Sequence, residues 1–225
     1  MVERVYRQCK KASGIDAVYV TTDHPEIADE VNRFGGGVIM TSPECPSGTD
    51  RVAEAAAKLD LDDNSIVINV QGDEPLIDPE VISSLAREMA HFPELKVATP
   101  ITTLKHAEEL TNPNVVFVAK NKFGDALYFS RHPIPFHREL GWDSVLYWPQ
   151  QHLYYKHIGV YAYCAGVLKQ FVELGESPLE RAERLEQLRL LENGIPIRCV
   201  QVEYESVAVD TAEDIKTVEL ILSQR

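Results

Sequence analysis

The stretch "SIVINVQGDEP", Ser65 to Pro75, decides how the chain is read. Ile66 to Val70, Asn69 apart, form an aliphatic, β-branched run that calls for burial. It passes into Gln71, Gly72, Asp73 and Glu74 without a spacer. A short apolar run bounded by turn residues reads as a buried strand. In an open α/β sheet, ligands collect at the carboxyl ends of the strands, so polar residues directly after such a strand stand where chemistry belongs. Taken alone, Gly72 and Pro75 also make an ordinary polar turn.

Working outward, the same strand signal recurs in "AVYVT" (Ala17 to Thr21), "GVIM" (Gly37 to Met40), "KVATPI" (Lys96 to Ile101) and "IRCVQV" (Ile197 to Val202). Amphipathic segments separate these runs. In "DPEVISSLAREMA", Val81, Ile82, Leu85 and Met89 share a helical face, with Asp78 as N-cap and Pro79 at the first helical position. Thr211 and Asp214 open a last helix carrying Ile215, Val218 and Leu222, which sets Asp210 between a strand and a helix. The alternation predicts an α/β protein with a mainly parallel sheet. Between Asn114 and Tyr163 the pattern changes. Pro133, Pro135 and the aromatic strands "ALYFS" and "IGVYAY" predict an antiparallel extension, roughly 114–163, that offers a dimer surface. With no linker and no internal repeat, one domain over 1–225 is expected. The chain opens on an amphipathic helix, "VERVYRQCKKA", although a parallel α/β sheet normally starts with a strand and a phosphate-contacting loop.

The formal net charge of −13 over 225 residues argues against a nucleic-acid or anionic membrane partner. An anionic small substrate would be met by local arginines and lysines, or by a divalent metal between carboxylates. No apolar run approaches the ~20 residues of a bilayer span, and the start lacks the apolar core of a secretory signal, so a cytoplasmic location is expected. Cys9, Cys45, Cys164 and Cys199 are far apart and form no C-x-x-C pair, which fits a reducing compartment and no structural zinc.

"CPSGTDR", Cys45 to Arg51, lies between a strand and a helix, where Ser47, Gly48 and Thr49 can present N–H groups and hydroxyls or simply cap the helix. "FGGG" at Phe34 to Gly37 closes a helix before a strand, the reverse of a phosphate loop, and is assigned to turn geometry. Nothing matches G-x-G-x-x-G or G-x-x-x-x-G-K-[ST], which counts against a nicotinamide oxidoreductase and a P-loop NTPase. His152 and His157 beside aromatic strands read first as packed histidines. In "RLEQLRLLENG", Leu185, Leu188 and Leu191 turn inward on a helix, and spacing alone leaves Glu186, Gln187 and Arg189 solvated. Asp73 and Asp210, each following a strand, would together suit magnesium, although Asp210 is also a natural helix-capping residue.

In order along the chain, "TTDHPEIADEVNRFGG", "SGTDRVAEA", "VINVQGDEPLIDP", "NPN", "ALYFSRHPIPF", "KHIGVYAY", "SPLERAERLEQLRLLENGIPI" and "VDTAEDI" closely resemble the 3-deoxy-manno-octulosonate cytidylyltransferases. The resemblance covers essentially the whole chain. It implies a Rossmann-like three-layer α/β/α nucleotidyltransferase core, usually dimeric. The implied reaction is CTP plus 3-deoxy-manno-octulosonate (Kdo) giving CMP-Kdo and pyrophosphate, with Mg²⁺ required, for lipopolysaccharide assembly. By the same likeness Asp73 and Asp210 are the metal-binding carboxylate pair. Ser47, Gly48, Thr49 and Gln71 contact the nucleotide. Arg51, Arg131, His157, Tyr161, Glu186 and Gln187 line the sugar pocket.

Two departures stand out. The family's N-terminal signature, P-A-R-x-x-S-[ST]-R-[LF]-P-x-K-P, is not in the sequence, which begins about where the next helix does. The natural protein is therefore expected to start upstream, with a first strand and the arginine and lysine that hold the triphosphate. After "NPN", the family's V-K-V-V becomes Val115 to Ala119, with Phe117 in place of the lysine. A sialic-acid-type cytidylyltransferase and a non-catalytic ligand-binding or dimerising module are the other readings, the first opposed by the "LEQLR" and "YFSR" segments.

Overall fold

The structure, a computed structural model, describes residues 1–138, 153–205, 209 and 211–223. Asp210 and His152 lie outside the described residues. The elements begin with α1 (Val2–Cys9), β1 (Tyr19–Thr22), α2 (Pro25–Arg33), β2 (Gly37–Met40), α3 (Gly48–Lys58), β3 (Ile66–Asn69) and α4 (Pro79–His91). β4 (Val97–Thr103), a 3-10 turn (Ala107–Thr111), β5 (Phe117–Lys120), β6 (Ala126–Ser130), β7 (Tyr155–His157) and β8 (Tyr161–Cys164) follow. The chain closes with α5 (Ala165–Leu174), α6 (Pro178–Glu183), α7 (Gln187–Glu192), β9 (Arg198–Gln201) and α8 (Ala212–Ser223).

Local chemistry sets these boundaries. Asp78 accepts from the Glu80 N–H at 2.9 Å ahead of Pro79, so α4 starts where a cap and a proline coincide. α2 ends at a left-handed glycine: Gly35 has φ 76°, and the Gly36 N–H returns to the Val31 carbonyl at 2.9 Å. The Thr211 N–H donates to Asp214 at 2.7 Å and the Asp214 N–H donates to Thr211 Oγ1 at 3.3 Å, the reciprocal cap predicted for α8. Val218 of that helix is buried while Ile215 is exposed.

Seven of the nine described strands fall on runs the sequence marked, while β5 and β7 had no such signal and β8 covers only the latter part of "IGVYAY"; the strand directions also differ from expectation. β1 and β2 pair in parallel as a two-stranded sheet, Tyr19 opposite Gly37. The other seven strands form one sheet ordered β3-β8-β4-β7-β5-β6, with β9 also on β4. Within it only β4–β9 is parallel; β3–β8, β4–β8, β4–β7, β5–β7 and β5–β6 are antiparallel. The mainly parallel sheet is therefore corrected to a mixed α/β arrangement with a largely antiparallel main sheet. The physical reason is that β8 inserts between β3 and β4, so two strands that run the same way never pair with each other. β5, β6 and β7 extend this sheet with antiparallel strands, as expected of the segment after Asn114.

α4 packs against β3, β4, β8 and β9, while α3 and α5 pack on each other and α7 reaches β6. One large apolar core runs through these elements, with Leu85, Val97, Ile101, Phe129, Ala162 and Leu188 fully buried. A smaller cluster of Leu104, Leu110, Val115, Phe117 and Tyr154 sits under the 3-10 turn. Phe117, where the resemblance leads one to expect a lysine, is thus a core residue with no exposed surface.

Candidate functional site

Register brings Tyr161 and His157 to the end of the main sheet at which β3 passes into the "QGDEP" turn. Asn69, the last residue of β3, pairs with Tyr161, the first of β8, and Ile101 of β4 pairs with His157 of β7. The "QGDEP" turn leaves β3 at that end. Gly48, at the start of α3, lies beside it: a Cβ added at Gly48 would come within 4.0 Å of both terminal atoms of the Gln71 side chain. Ser47 caps α3 by accepting from the Asp50 N–H at 3.1 Å. The N–H groups of Gly48 and Thr49 lie in that first turn, where a helix has no internal acceptors for them.

Thr49 ties this loop to the α6–α7 segment. Its hydroxyl donates to Glu186 Oε2 at 2.7 Å, across 137 residues of sequence. Tyr163 lies beside both; burial pushes its phenol up, the Glu186 carboxylate adds to the shift, and a hydrogen bond to Thr49 opposes it. Tyr161 stacks on Tyr163 with ring centroids 5.6 Å apart, and His157 lies 5.2 Å from Tyr161 on the other side. Burial also raises the Tyr161 phenol well above its ordinary value, reinforced by Tyr163 and Glu186. Burial pulls the His157 imidazole down to about 3, which leaves it neutral at ordinary pH.

Two polar atoms in this group are buried without a partner among the described residues: Tyr161 Oη and Gln187 Nε2. Buried polar groups in folded proteins are nearly always paired, so an orphaned hydroxyl and amide in one cluster mark a place for a ligand. Gln187 and Arg189 are buried, not solvated as spacing alone suggested. The cause is a break in the expected helix: Arg184 adopts φ 57°, ψ 47°, which ends α6 and restarts the chain as α7 on a new axis. Leu188 and Leu190 then fill the core, and Leu191 is only partly buried. Arg189 is buried because Glu180 accepts from its Nε at 2.8 Å and its Nη2 at 2.6 Å, with the guanidinium 3.9 Å from the centre of the Phe171 ring.

The two arginines assigned to the sugar pocket are both held by other groups. Arg131 donates through Nε to the Glu183 carbonyl at 2.9 Å and through Nη2 to the Arg184 carbonyl at 3.4 Å, bracing the turn that presents Glu186. Arg51 bonds Thr41 Oγ1 at 2.6 Å and pairs with Asp23 at 3.3 Å, on the side of β1 and β2. The structure does not bring Arg51 into contact with His157, Tyr161 or Glu186. Asp73 is half-buried, and no hydrogen bond or ion pair engages its carboxylate among the described residues. Its carbonyl accepts from the Val209 N–H at 2.9 Å, so the chain segment entering α8 is pinned to the "QGDEP" turn.

A family model described as cytidylyltransferase matches residues 1–206. The chain is 46% identical over 219 residues, 97% of its length and 86% of the relative's, to a 3-deoxy-manno-octulosonate cytidylyltransferase of Syntrophotalea carbinolica. It is 43% identical, over 100% of its length and 88% of the relative's, to that of Hahella chejuensis. The chain belongs to the 3-deoxy-manno-octulosonate cytidylyltransferase family. A solved structure of CMP:2-keto-3-deoxy-manno-octonic acid synthetase complexed with CTP superposes with a TM-score of 0.89 at 39% identity, covering 99% of this chain and 87% of that one.

For a 3-deoxy-manno-octulosonate cytidylyltransferase, the sequence reading left out residues that hold the site together. Tyr163 backs Tyr161, Thr99 bonds His157, and Glu183 accepts from Ser130 Oγ and from the Arg131 N–H, each at 2.9 Å. Tyr163 was findable, being two residues from Tyr161 on one strand and so on the same face. Thr99 and Glu183 carried no sequence signal, because their partners are 58 and 52 or 53 residues away.

Proposed function

We propose that the protein transfers the cytidylyl group of CTP to Kdo, releasing pyrophosphate, at the end of the main sheet where β3, β4 and β8 meet. The carrying observation is the pair of buried, unpartnered polar atoms, Tyr161 Oη and Gln187 Nε2, beside the Thr49–Glu186 hydrogen bond. An acidic, hydroxyl-rich sugar supplies the missing partners. The first turn of α3 at Gly48 and Thr49, with Gln71 alongside, offers N–H, hydroxyl and amide groups to the nucleotide. Family resemblance is the support for lipopolysaccharide assembly as the destination of the product and for a cytoplasmic homodimer.

In the proposed reaction the anomeric hydroxyl oxygen of the sugar attacks the α-phosphorus in line. The phosphoanhydride bond to the β-phosphate breaks, pyrophosphate leaves, and the hydroxyl proton is lost to solvent. His157, Tyr161, Glu186 and Gln187 orient the sugar, and the Ser47-to-Thr49 turn with Gln71 orients the nucleotide; such positioning supplies much of the rate in phosphoryl transfer. Asp73 and Asp210 are the proposed Mg²⁺ ligands. The donor set fits: Mg²⁺ takes one or two carboxylates and fills its other positions with water and phosphate oxygens, and the Asp73 carboxylate is not engaged elsewhere among the described residues. The Val209–Asp73 bond and the α8 cap at Thr211 hold the chain neighbours on both sides of Asp210. When bound, the ion would neutralise charge on the phosphates.

Pyrophosphate release from CTP, measured with Kdo and with sialic acid in parallel, tests the reading. Release with Kdo alone is expected. Release with sialic acid alone, or with neither sugar while Kdo fails to bind, would overturn it.

A further inference from the structure

Thr99 lies on β4 with no exposed surface, and its hydroxyl faces three partners. Oγ1 is 2.8 Å from the Val160 carbonyl, 3.4 Å from the Ile158 carbonyl and 2.8 Å from His157 Nε2. A threonine hydroxyl has one hydrogen, and a carbonyl has none. At 2.8 Å the two oxygens of Thr99 and Val160 need that hydrogen between them, or two lone pairs would face each other in a dry core. The hydrogen on the third contact must therefore come from the imidazole.

We propose that Thr99 is a positioning residue that fixes His157 as the Nε2–H tautomer, leaving Nδ1 as an acceptor for a hydroxyl of the acceptor sugar. No described residue donates to Nδ1, while Phe129 and Tyr161 hold the ring at centroid distances of 5.2 Å each. The ring cannot turn over without losing the Thr99 bond. A histidine in this state selects for a donor at the sugar and gives no charge assistance to its carboxylate. Burial, which keeps the ring neutral, makes the tautomer the controlling variable. The proposal rests on the reading of His157 as part of the sugar pocket.

Imidazole ¹⁵N spectra of the ¹⁵N-histidine-labelled protein, with and without Kdo, test both parts. The expected result is a protonated Nε2 and a bare Nδ1 on His157, with the Nδ1 resonance moving when Kdo is added. An Nδ1–H tautomer in the unliganded protein overturns the proposal whatever the pocket binds. An Nε2–H tautomer indifferent to bound Kdo upholds the Thr99 contact but overturns the sugar-pocket reading on which the rest stands. Thr99→Val, which keeps the shape and removes the hydroxyl, is expected to mix the tautomers and raise KM for Kdo about tenfold while kcat changes little. Thr99→Ser restores both, and its failure to do so counts against the hydroxyl. If Thr99→Val does not fold, the wild-type spectrum and the serine variant decide alone.

Discussion

Asp73 and Tyr161 show how much a single residue can reveal, and by what signal. Asp73 was singled out in the sequence because it follows an apolar run, read as a buried strand, without a spacer. Among the described residues β3 is instead an edge strand with Ile66 exposed and only Asn69 buried, and the Asp73 carboxylate is left unengaged. Asp73→Asn keeps the shape and removes the charge. Turnover is expected to fall at least about a hundredfold, roughly 2.7 kcal/mol, with a raised Mg²⁺ requirement and an unchanged melting temperature. A Mg²⁺ titration of rate in both proteins checks this, and coincident curves would remove Asp73 from the site. Tyr161 behaves differently because its hydroxyl is buried and has no partner among the described residues. An unpaired buried hydroxyl costs about 1–3 kcal/mol, so Tyr161→Phe should stabilise the unliganded protein while weakening Kdo binding about tenfold. Thermal melts and calorimetric titration separate the two effects. A destabilised variant with unchanged Kdo affinity would mean that the hydroxyl serves the fold and not the ligand.

At the scale of elements, the sequence was informative wherever a local rule operates and uninformative where one chain reversal decides. The caps of α4 and α8 and the left-handed glycine after α2 follow from residues within one turn of each other. The α6–α7 break does not, because nothing in "ERLEQ" announces a left-handed arginine, a conformation few non-glycine residues adopt. That break buries Gln187, and buries Arg189 against Glu180. Glu180 also completes the cap at Ser177, accepting from its N–H at 3.1 Å, so the same carboxylate holds both short helices. Arg189→Ala strands a buried carboxylate and is expected to cost about 3–5 kcal/mol. Arg189→Met combined with Glu180→Met, which removes both charges, should cost far less than the two single changes together. Urea unfolding of wild type, Arg189→Met, Glu180→Met and the double variant gives the coupling directly. Additive losses would mean that the pair does not act as a unit.

Across the whole molecule, most strand positions were legible, β5 and β7 excepted, and strand directions were not. A strand buried on both faces, as β4 is along nearly all its length, has the same composition whichever way its neighbours run. Direction is set by β8 returning between β3 and β4 from about a hundred residues away, a contact that no short-range pattern encodes. β7, held between β4 and β5, carries His157 as a half-buried neutral ring, and this makes stability depend on pH. A histidine held at about 3 takes up its proton in the unfolded chain first, near ~6.5, so unfolding gains protons as pH falls between those values and stability is lost there. Glu54 acts in the same direction at lower pH. Its carboxyl is held at about 2 by Lys58, by the Ser42 N–H and by the Cys45 thiol, so its contribution is complete above its unfolded value of ~4.3 and disappears as pH falls toward 2. The protein is therefore expected to lose stability from pH 7 to 5 through His157 and further from pH 4.5 to 3 as Glu54 joins it. His157→Asn should flatten the first interval and reduce the slope in the second, whereas Glu54→Gln should soften only the second. Urea midpoints measured across both intervals for the three proteins decide the matter: a His157→Asn profile parallel to wild type between pH 7 and 5 would show that the buried imidazole does not set the acid sensitivity of the fold.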